Sequence, residues 1–263
     1  MEARFIILHP DDPAEILHAT PLIRCLKSQV EEASVYSVVR ENHRWLLDSN
    51  PFLDDLFVYQ EKPDELIDEL RDFQPDYIID LDGSRAVRRF KGKLKVLDFT
   101  IRKGDIWKTC TLFDVEDDGK GPEFKSLPLD PEILPSAFLS GYLILALDTS
   151  RKRGRLLTDD QIIEIAVMTE KPIVVTGSKA DRDLANRIGQ STGCAVFPTC
   201  GDLTPEQMAS VFHGARGAIV FESLWYEIAS AMGTQTRLIS ENSRQHDTKE
   251  IALWARSQFN SKP

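Results

Sequence analysis

The sequence predicts an α/β fold in two halves, each built on a parallel β-sheet covered by helices. Short apolar runs alternate with amphipathic segments of helix length along the chain, the pattern expected of βα repeats. The alternation is interrupted once, over residues 114–141, by a segment rich in proline, glycine and acidic residues. With 263 residues available, we predict an N-terminal lobe over residues 1–137 and a C-terminal lobe over 138–263, facing a cleft. The alternative is one continuous sheet with a long loop.

Apolar runs define the predicted strands in order. The first half has strands over 5–8, 34–39, 55–59, 77–81 and 95–99, and the second half has strands over 142–147, 173–176, 195–197, 218–221 and 237–239. Helical periodicity predicts helices over 14–27, 64–73, 158–169, 180–193, 205–214 and 222–232. Apolar positions at near-helical spacing predict a final helix over 247–257.

Composition narrows the class of protein. The net charge of −10 and pI near 5.1 argue against a nucleic-acid partner. Four cysteines form no CxxC motif and five histidines show no metal-ligand spacing, so we expect no metal and reduced thiols. We expect no secretory signal, and no apolar run reaches the ~20 residues that span a bilayer. These features predict a cytoplasmic protein.

The first strand-to-helix turn, residues 9–18, contains no glycine. Asp11 or Asp12 can cap the helix, with Pro13 in its first turn. Glu15 then lies in the first turn of the helix, where its only role would be to stabilise the helix dipole. Alternatively, because it follows the carboxyl end of the first strand, it faces the cleft and acts as a general base.

A second strand ends in the segment DLDGSR, residues 80–85. Gly83 permits a tight turn, and Ser84 can cap the next helix. Asp82 and Arg85 lie at the same edge as the first turn, and further arginines follow. These charges are interpreted as a normal capped helix with a solvated basic face.

Two segments of the second half suit a phosphate group. Lys152, Arg153 and Arg155 form a basic loop around Gly154 after a strand, which fits either a diphosphate or a solvated loop. Gly177 and Ser178 begin a helix whose amides can receive an anion, although the glycine also suits a purely structural turn. Neither a dinucleotide fingerprint nor a P-loop motif is present.

The last chemically suggestive segment is FESLWYE, residues 221–227. Glu222 lies at or beside the helix N-cap, followed by Ser223. Glutamate is a less usual cap than aspartate or serine, which favours a contact with a ligand. Glu227 is 140° away around the helix, so it does not share a face with Glu222.

In their order and spacing these segments resemble the family 9 glycosyltransferases, the ADP-heptose:lipopolysaccharide heptosyltransferase family. The segment EILHATPLIRCLK (15–27) is similar to the family's N-terminal block, and NPFLDDLFVY (50–59) and PDYIIDLDGSRAVRR (75–89) are similar to its next two blocks. Residues 117–124, 171–181 and 217–233 continue the likeness in register.

The resemblance implies a GT-B architecture of two Rossmann-like lobes facing a cleft. It implies metal-independent, inverting transfer of a sugar from a nucleotide-sugar, which the C-terminal lobe mainly binds. The implied acceptor is a lipid-linked glycan at the inner face of the membrane. No cofactor is expected, and an ADP-sugar is the expected donor. Glu15 would be the base, while Asp82 and Arg85 would face the acceptor. The expected donor contacts are Lys152, Arg153, Arg155, Gly177, Ser178, Glu222 and Ser223.

The chain departs from the family pattern in two motifs, at four positions. Ala14-Glu15 stands where the family has Gly-Asp, Leu224 replaces a glycine and Glu227 replaces a histidine. Leucine bulk and a glutamate charge oppose diphosphate binding at that turn. A catalytically silent relative that acts as a binding or scaffold protein is therefore the alternative hypothesis.

Overall fold

A computed structural model describes residues 3–94, 97–100, 107, 110–130, 132–147, 156–241 and 247–260. The chain divides into two compact units, Met1–Lys125 and Ser126–Pro263. Each unit is an α/β structure with a five-stranded parallel sheet, which confirms the predicted fold class. The division falls within the predicted connecting segment, 114–141, as does the boundary that the sequence suggested between residues 137 and 138.

Unit 1 has the strands β1 (Ala3–Leu8), β2 (Ala33–Arg40), β3 (Asp55–Tyr59), β4 (Tyr77–Asp80) and β5 (Leu97–Thr100). Its helices are α1 (Pro13–His18), α2 (Thr20–Gln29), α3 (Ile67–Phe73) and α4 (Arg85–Leu94), with short 3-10 helices over Glu41–Leu46, Pro63–Leu66 and Thr111–Phe113. The sheet order is β3-β2-β1-β4-β5, so the direction of winding reverses between β1 and β4.

Unit 2 has the strands β6 (Leu143–Ala146), β7 (Ile173–Thr176), β8 (Val196–Pro198), β9 (Gly217–Phe221) and β10 (Thr236–Ile239). Its helices are α5 (Asp159–Thr169), α6 (Arg182–Ser191), α7 (Pro205–Gly214), α8 (Leu224–Ala231) and α9 (Thr248–Ser257), with 3-10 helices over Ser136–Phe138 and Lys179–Asp181. The order β10-β9-β6-β7-β8 repeats the winding of unit 1, with its reversal between β6 and β9.

Both faces of each sheet are covered, which explains the continuous apolar runs of the strands. Residues of β6 and β7 alternate between two clusters, with Leu143 and Leu145 in one and Ile144 in the other. The final helix α9 contributes Ile251 and Ala255 to the first cluster. The ten predicted strands and the C-terminal helix are thus present, with boundaries that differ by one or two residues.

The predicted helix over 14–27 is instead two helices that meet at Ala19. Pro21 has no amide hydrogen to donate to the carbonyl of Leu17, four residues earlier. The Thr20 hydroxyl donates to that carbonyl instead, at 2.8 Å. The same hydroxyl oxygen accepts from the Glu123 amide, so this junction also holds the connecting segment.

The connecting segment is attached to unit 1 as far as Lys125. The buried guanidinium of Arg24 on α2 makes two hydrogen bonds to Asp118, at 2.8 and 2.6 Å, and an ion pair with Glu123 at 3.1 Å. Beyond the boundary, the Ser210 hydroxyl of α7 donates to the Leu127 carbonyl. Among the helices of the described ranges, none combines the length and apolar character that crossing a membrane requires.

Candidate functional site: a cavity in unit 2 and the carboxyl edge of unit 1

A cavity of about 370 Å³ lies at the carboxyl ends of β6, β7 and β9 in unit 2. It therefore lies at the point where the winding of the sheet reverses, the usual ligand position in open α/β sheets. Its lining residues are Ala146, Leu147, Thr176, Gly177, Ser178, Asp181, Gly201, Leu203, Pro205, Met208, Phe221, Ser223, Leu224 and Trp225. Gly177, Ser178 and Ser223, three of the predicted donor contacts, thus meet in one cavity.

The turn after β7 is organised by Asp181, which is fully buried. Its carboxylate accepts from the Ser178 amide at 2.9 Å and from the Ser178 hydroxyl at 2.8 Å. A Cβ at Gly177 would lie 2.9 Å from the same carboxylate, so only glycine fits beside it. The Ser178 amide that we expected to receive a ligand anion is therefore already bonded to an anion of the protein.

Asp181 is a site residue that the sequence analysis missed. The available signal was the spacing Ser-x-x-Asp directly after a strand, which is a capping pattern. Asp181 borders the cavity, but its carboxylate is fully buried and is used by the turn itself, so it positions Ser178 at the cavity wall.

The start of α8 forms another part of the cavity lining. Ser223 is the N-cap, and Glu222 precedes it, exposed and outside the cavity lining. The Ser223 hydroxyl donates back to the Phe221 carbonyl at 3.1 Å. Leu224 and Trp225 line the cavity in the first turn of the helix. Trp225 is a further residue that the sequence analysis did not assign to the site.

In unit 1, the turn after β1 is capped by Asp12, which settles the choice between the two aspartates. Its carboxylate accepts from the amides of Ala14 and Glu15, at 2.9 and 3.1 Å. Glu15 is half-buried in the first turn of α1, at the carboxyl end of β1. This is the position that we predicted for a base, and it lies at the winding reversal of unit 1.

Asp11 has a different contact set, which no sequence pattern indicated. Its two carboxylate oxygens pair with Arg40 and with His43, both at 2.9 Å. The Arg40 guanidinium lies 5.9 Å from the centre of the Tyr59 ring. Burial raises the pKa of the Tyr59 hydroxyl, and its hydrogen bond with Arg40 opposes that rise. The cluster ties the turn after β1 to the ends of β2 and β3.

The turn after β4 is held by the buried Asp80. Its carboxylate accepts from the amides of Asp82 and Gly83 and pairs with the buried Lys91 at 2.7 Å. Ser84 caps the following helix, as its hydroxyl oxygen accepts from the Val87 amide. Asp82 is half-buried and Arg85 exposed at this edge, beside the end of β1.

Three predicted donor contacts, Lys152, Arg153 and Arg155, lie outside the described residues. The described segment before them ends at Leu147, which lines the cavity. Within the described ranges, no group of three histidine, cysteine or acidic side chains is placed to hold a metal ion.

No family model matches the sequence, and no curated protein matches it. Solved structures match the fold. A family 9 glycosyltransferase from Veillonella parvula has a TM-score of 0.77 at 13% identity, over 93% of this chain and 83% of that one. The Escherichia coli ADP-heptose lipopolysaccharide heptosyltransferase II has a TM-score of 0.71 at 13% identity, over 99% of both chains.

An E. coli heptosyltransferase solved with ADP-2-deoxy-2-fluoro heptose has a TM-score of 0.65 at 12% identity, over 98% of both chains. These three likenesses show a shared fold: paired α/β units of the kind found in GT-B glycosyltransferases. The fold predicted from the order of the sequence blocks is therefore confirmed.

Proposed function

We propose that this chain is a family 9 glycosyltransferase that transfers a heptose-like sugar from a nucleotide-sugar to a lipopolysaccharide or other cell-surface glycan. The observation that carries the proposal is the cavity of unit 2, which lies at the winding reversal and is lined by three of the predicted donor contacts, Gly177, Ser178 and Ser223. The fold shared with heptosyltransferases supports it. One of those relatives was solved with ADP, which favours an ADP-sugar as the donor.

In the proposed reaction, an acceptor hydroxyl attacks the anomeric carbon of the donor as the bond to the diphosphate oxygen breaks. Glu15 takes the hydroxyl proton, and the nucleoside diphosphate leaves with the bonding electrons. Attack opposite the leaving group inverts the anomeric configuration. Lys152, Arg153 and Arg155 would stabilise the negative charge of the leaving diphosphate without a metal or other cofactor.

On the acceptor side, Asp82 and Arg85 would contact a lipid-linked glycan. The proposed location is the cytoplasm, with peripheral contact at the inner face of the membrane where such an acceptor is accessible. Gly177, Ser178, Glu222 and Ser223 remain the proposed donor contacts. Asp181 supports them by holding the turn that carries Gly177 and Ser178.

Calorimetric titration with ADP, UDP, GDP and their sugar conjugates tests donor binding. We expect one series to bind and Arg155→Ala to abolish that binding, with Arg44→Ala, an exposed arginine of unit 1, as the matched control. Absence of binding at millimolar concentration of every compound would contradict the proposal.

Turnover is measured as release of the nucleoside diphosphate in the presence of a lipid-linked glycan. Glu15→Gln should lower turnover about 100-fold or more while donor affinity is unchanged, because the proton acceptor is lost. Glu69→Gln, at an exposed position of α3, should leave turnover intact. Donor binding without turnover by the wild-type protein, across acceptors, would instead support the silent relative.

A further inference from the structure

A pocket of about 200 Å³ in unit 1 is lined by no residue that we assign to sugar transfer. Its lining residues are Leu46, Asn50, Pro51, Glu123, Phe124 and Lys125. They supply one carboxylate, one ammonium group and one carboxamide beside an apolar wall. The Trp45 ring contacts the Phe124 ring edge-on, with ring centroids 5.8 Å apart, which helps to fix that wall. Since a cavity of roughly 150 Å³ accepts benzene, this pocket accommodates a compact ligand of slightly greater size.

Glu123 brings an incompletely paired carboxylate to the pocket. Its Oε2 lies 3.1 Å from the buried guanidinium of Arg24, whereas its Oε1 is buried and has no hydrogen-bond partner among the described residues. Arg24 also pairs with Asp118, so one buried cation serves two carboxylates. The further cation, Lys120, is largely exposed and pairs with Asp118 instead.

The free oxygen of Glu123 favours a ligand that donates a hydrogen bond. A buried carboxylate oxygen without a donor is costly, and a charged donor removes that cost best. Rotation about the terminal torsion of a glutamate is easy, so the carboxylate can turn this oxygen towards a donor in the pocket. An ammonium group meets both requirements, because it carries three donors and the opposite charge.

The other polar groups of the pocket complement an anion. Lys125 is exposed, and the described part of the chain gives its ammonium group no carboxylate partner. Asn50 uses its side-chain oxygen to accept from the Phe52 amide at 2.9 Å, which leaves its NH₂ group to donate. An ammonium and a carboxamide NH₂ both donate to a carboxylate. The lining therefore offers an acceptor for a cation, donors for an anion and an apolar surface.

We propose that this pocket binds a small zwitterion, an α-amino acid with a compact apolar side chain such as leucine. The ammonium group of the ligand donates to Glu123, and its carboxylate accepts from Lys125 and Asn50. Its side chain packs against Leu46 and Phe124. Because the lining comes from the connecting segment and from residues 46–51, the ligand holds these two parts of unit 1 together. The site is independent of the proposed sugar transfer.

Calorimetric titration of the full chain with leucine tests the site. A ligand of this size should bind with a dissociation constant of about 1 mM or lower. Isoamylamine is leucine without its carboxylate, and isocaproate is leucine without its ammonium group. Each should bind about tenfold or more weakly than leucine, because one charged hydrogen-bonded pair is lost. Absence of leucine binding at about 10 mM, or equal affinity for leucine and isocaproate, would overturn the proposal.

Two variants assign the charges to residues. Glu123→Gln keeps an acceptor for Arg24 but loses the negative charge, so leucine should bind about tenfold or more weakly. The matched control is Glu116→Gln, at an exposed position of the same segment, which should bind leucine as wild type does. Lys125→Gln should weaken leucine about fivefold and leave isoamylamine unchanged, because that amine has no carboxylate for the lysine to bind.

Thermal melting establishes that each variant is folded. Leucine affinity that is equal in wild type and in folded Glu123→Gln and Lys125→Gln would overturn the proposal. If a variant does not fold, the comparison of the three ligands on the wild-type protein decides. Failure of the amino-acid site would leave donor binding and sugar transfer untouched, since those are measured with nucleotides and a glycan acceptor.

Discussion

At the scale of single residues, several charged and polar groups of this chain are buried with specific partners. Arg24 is almost completely buried and is matched by carboxylates from the connecting segment. His9, at the end of β1, is also buried, and its Nε2 lies 3.0 Å from the Ser37 hydroxyl. Burying a charged or polar group without such partners is costly. Where the pKa of a buried group differs between the folded and unfolded states, its contribution to the free energy of unfolding depends on pH.

Arg24→Met should destabilise the protein at neutral pH, because it removes the buried cation that Asp118 and Glu123 share and leaves Asp118 its longer pair with the exposed Lys120, at 3.4 Å. We expect a melting temperature lower by about 5 °C. Arg44→Met, which breaks an exposed pair with Asp48, should change it little. If Arg24→Met and Arg44→Met have the same melting temperature, the connecting segment is held to unit 1 by other contacts.

The same pair predicts how the Arg24→Met effect changes with pH. The hydrogen bond from Arg24 lowers the pKa of the Asp118 carboxyl well below its usual range. A depressed carboxyl pKa contributes stability above the unfolded value, about 4, and loses it as pH falls towards the folded value. The difference in melting temperature between wild type and Arg24→Met should therefore shrink below about pH 4, and a constant difference would contradict this.

His9 should make the protein less stable as the medium becomes mildly acidic. Burial lowers the pKa of its imidazole from 6.5 to about 3, so the unfolded chain takes up a proton between these values and the folded chain does not. As the pH falls from 6.5 to about 3, the contribution of His9 to the free energy of unfolding should fall by about 1.4 kcal/mol per pH unit. Urea unfolding of wild type and His9→Gln at pH 7.5, 6 and 5 measures it. If the free energy of unfolding changes equally with pH in wild type and His9→Gln, the effect is excluded.

At the scale of elements, strand-to-helix turns determine where each functional side chain lies. After β1 the turn is capped by Asp12, after β4 it is held by Asp80, and after β7 it is held by Asp181. In each case a short acidic side chain satisfies the amides of the turn without a phosphate. The proposed base Glu15 and the cavity-lining Trp225 lie in the first turns of the helices α1 and α8.

Gly177→Ala should weaken the turn after β7, because its methyl group would lie 2.9 Å from the Asp181 carboxylate and 3.1 Å from its Cβ. We expect a loss of about 1–3 kcal/mol of unfolding free energy, together with weaker ligand binding as Asp181 moves. Gly92→Ala is the matched control: it lies in α4 with no atom near the added methyl, and should stabilise by about 0.5–1 kcal/mol. A neutral or stabilising Gly177→Ala would contradict the proposed packing.

At the scale of the whole molecule, the chain consists of two units with the same strand order, each with its own buried core. All described residues that line the cavity proposed for the nucleotide belong to unit 2, and the proposed base belongs to unit 1. Binding and chemistry are therefore assigned to different units of the fold.

Residues 126–263 expressed alone should fold and bind the nucleoside diphosphate with an affinity within about tenfold of the full chain, since all described residues that line the cavity lie within them. They should show no sugar transfer, because Glu15 is missing. Circular dichroism establishes folding and calorimetry measures affinity. A folded fragment that does not bind would show that unit 1 contributes to the nucleotide site.

Much of the fold could be predicted from the sequence because the information is local. Apolar runs and amphipathic segments are readable along the chain, and they located all ten strands. The break between α1 and α2 was missed, although Pro21 was its visible cause, since helical periodicity continues through residue 27. The order of strand-to-helix turns was sufficient to place Gly177, Ser178 and Ser223 at one edge of a sheet.

The residues that the sequence analysis missed owe their place to contacts between distant segments. Asp181 and Trp225 read locally as a capping aspartate and a core aromatic, and only the packing of α7 against α8 brings Phe212 under the indole. Asp11, in the turn after β1, meets Arg40 and His43, which lie much later in the chain at the end of β2 and in the adjoining 3-10 helix. The sequence by itself thus determined the alternation of strands and helices, because local periodicity and turn chemistry specify it. The tertiary structure decided which side chains share a cavity, because that depends on strand order and on side chains that are far apart in the chain.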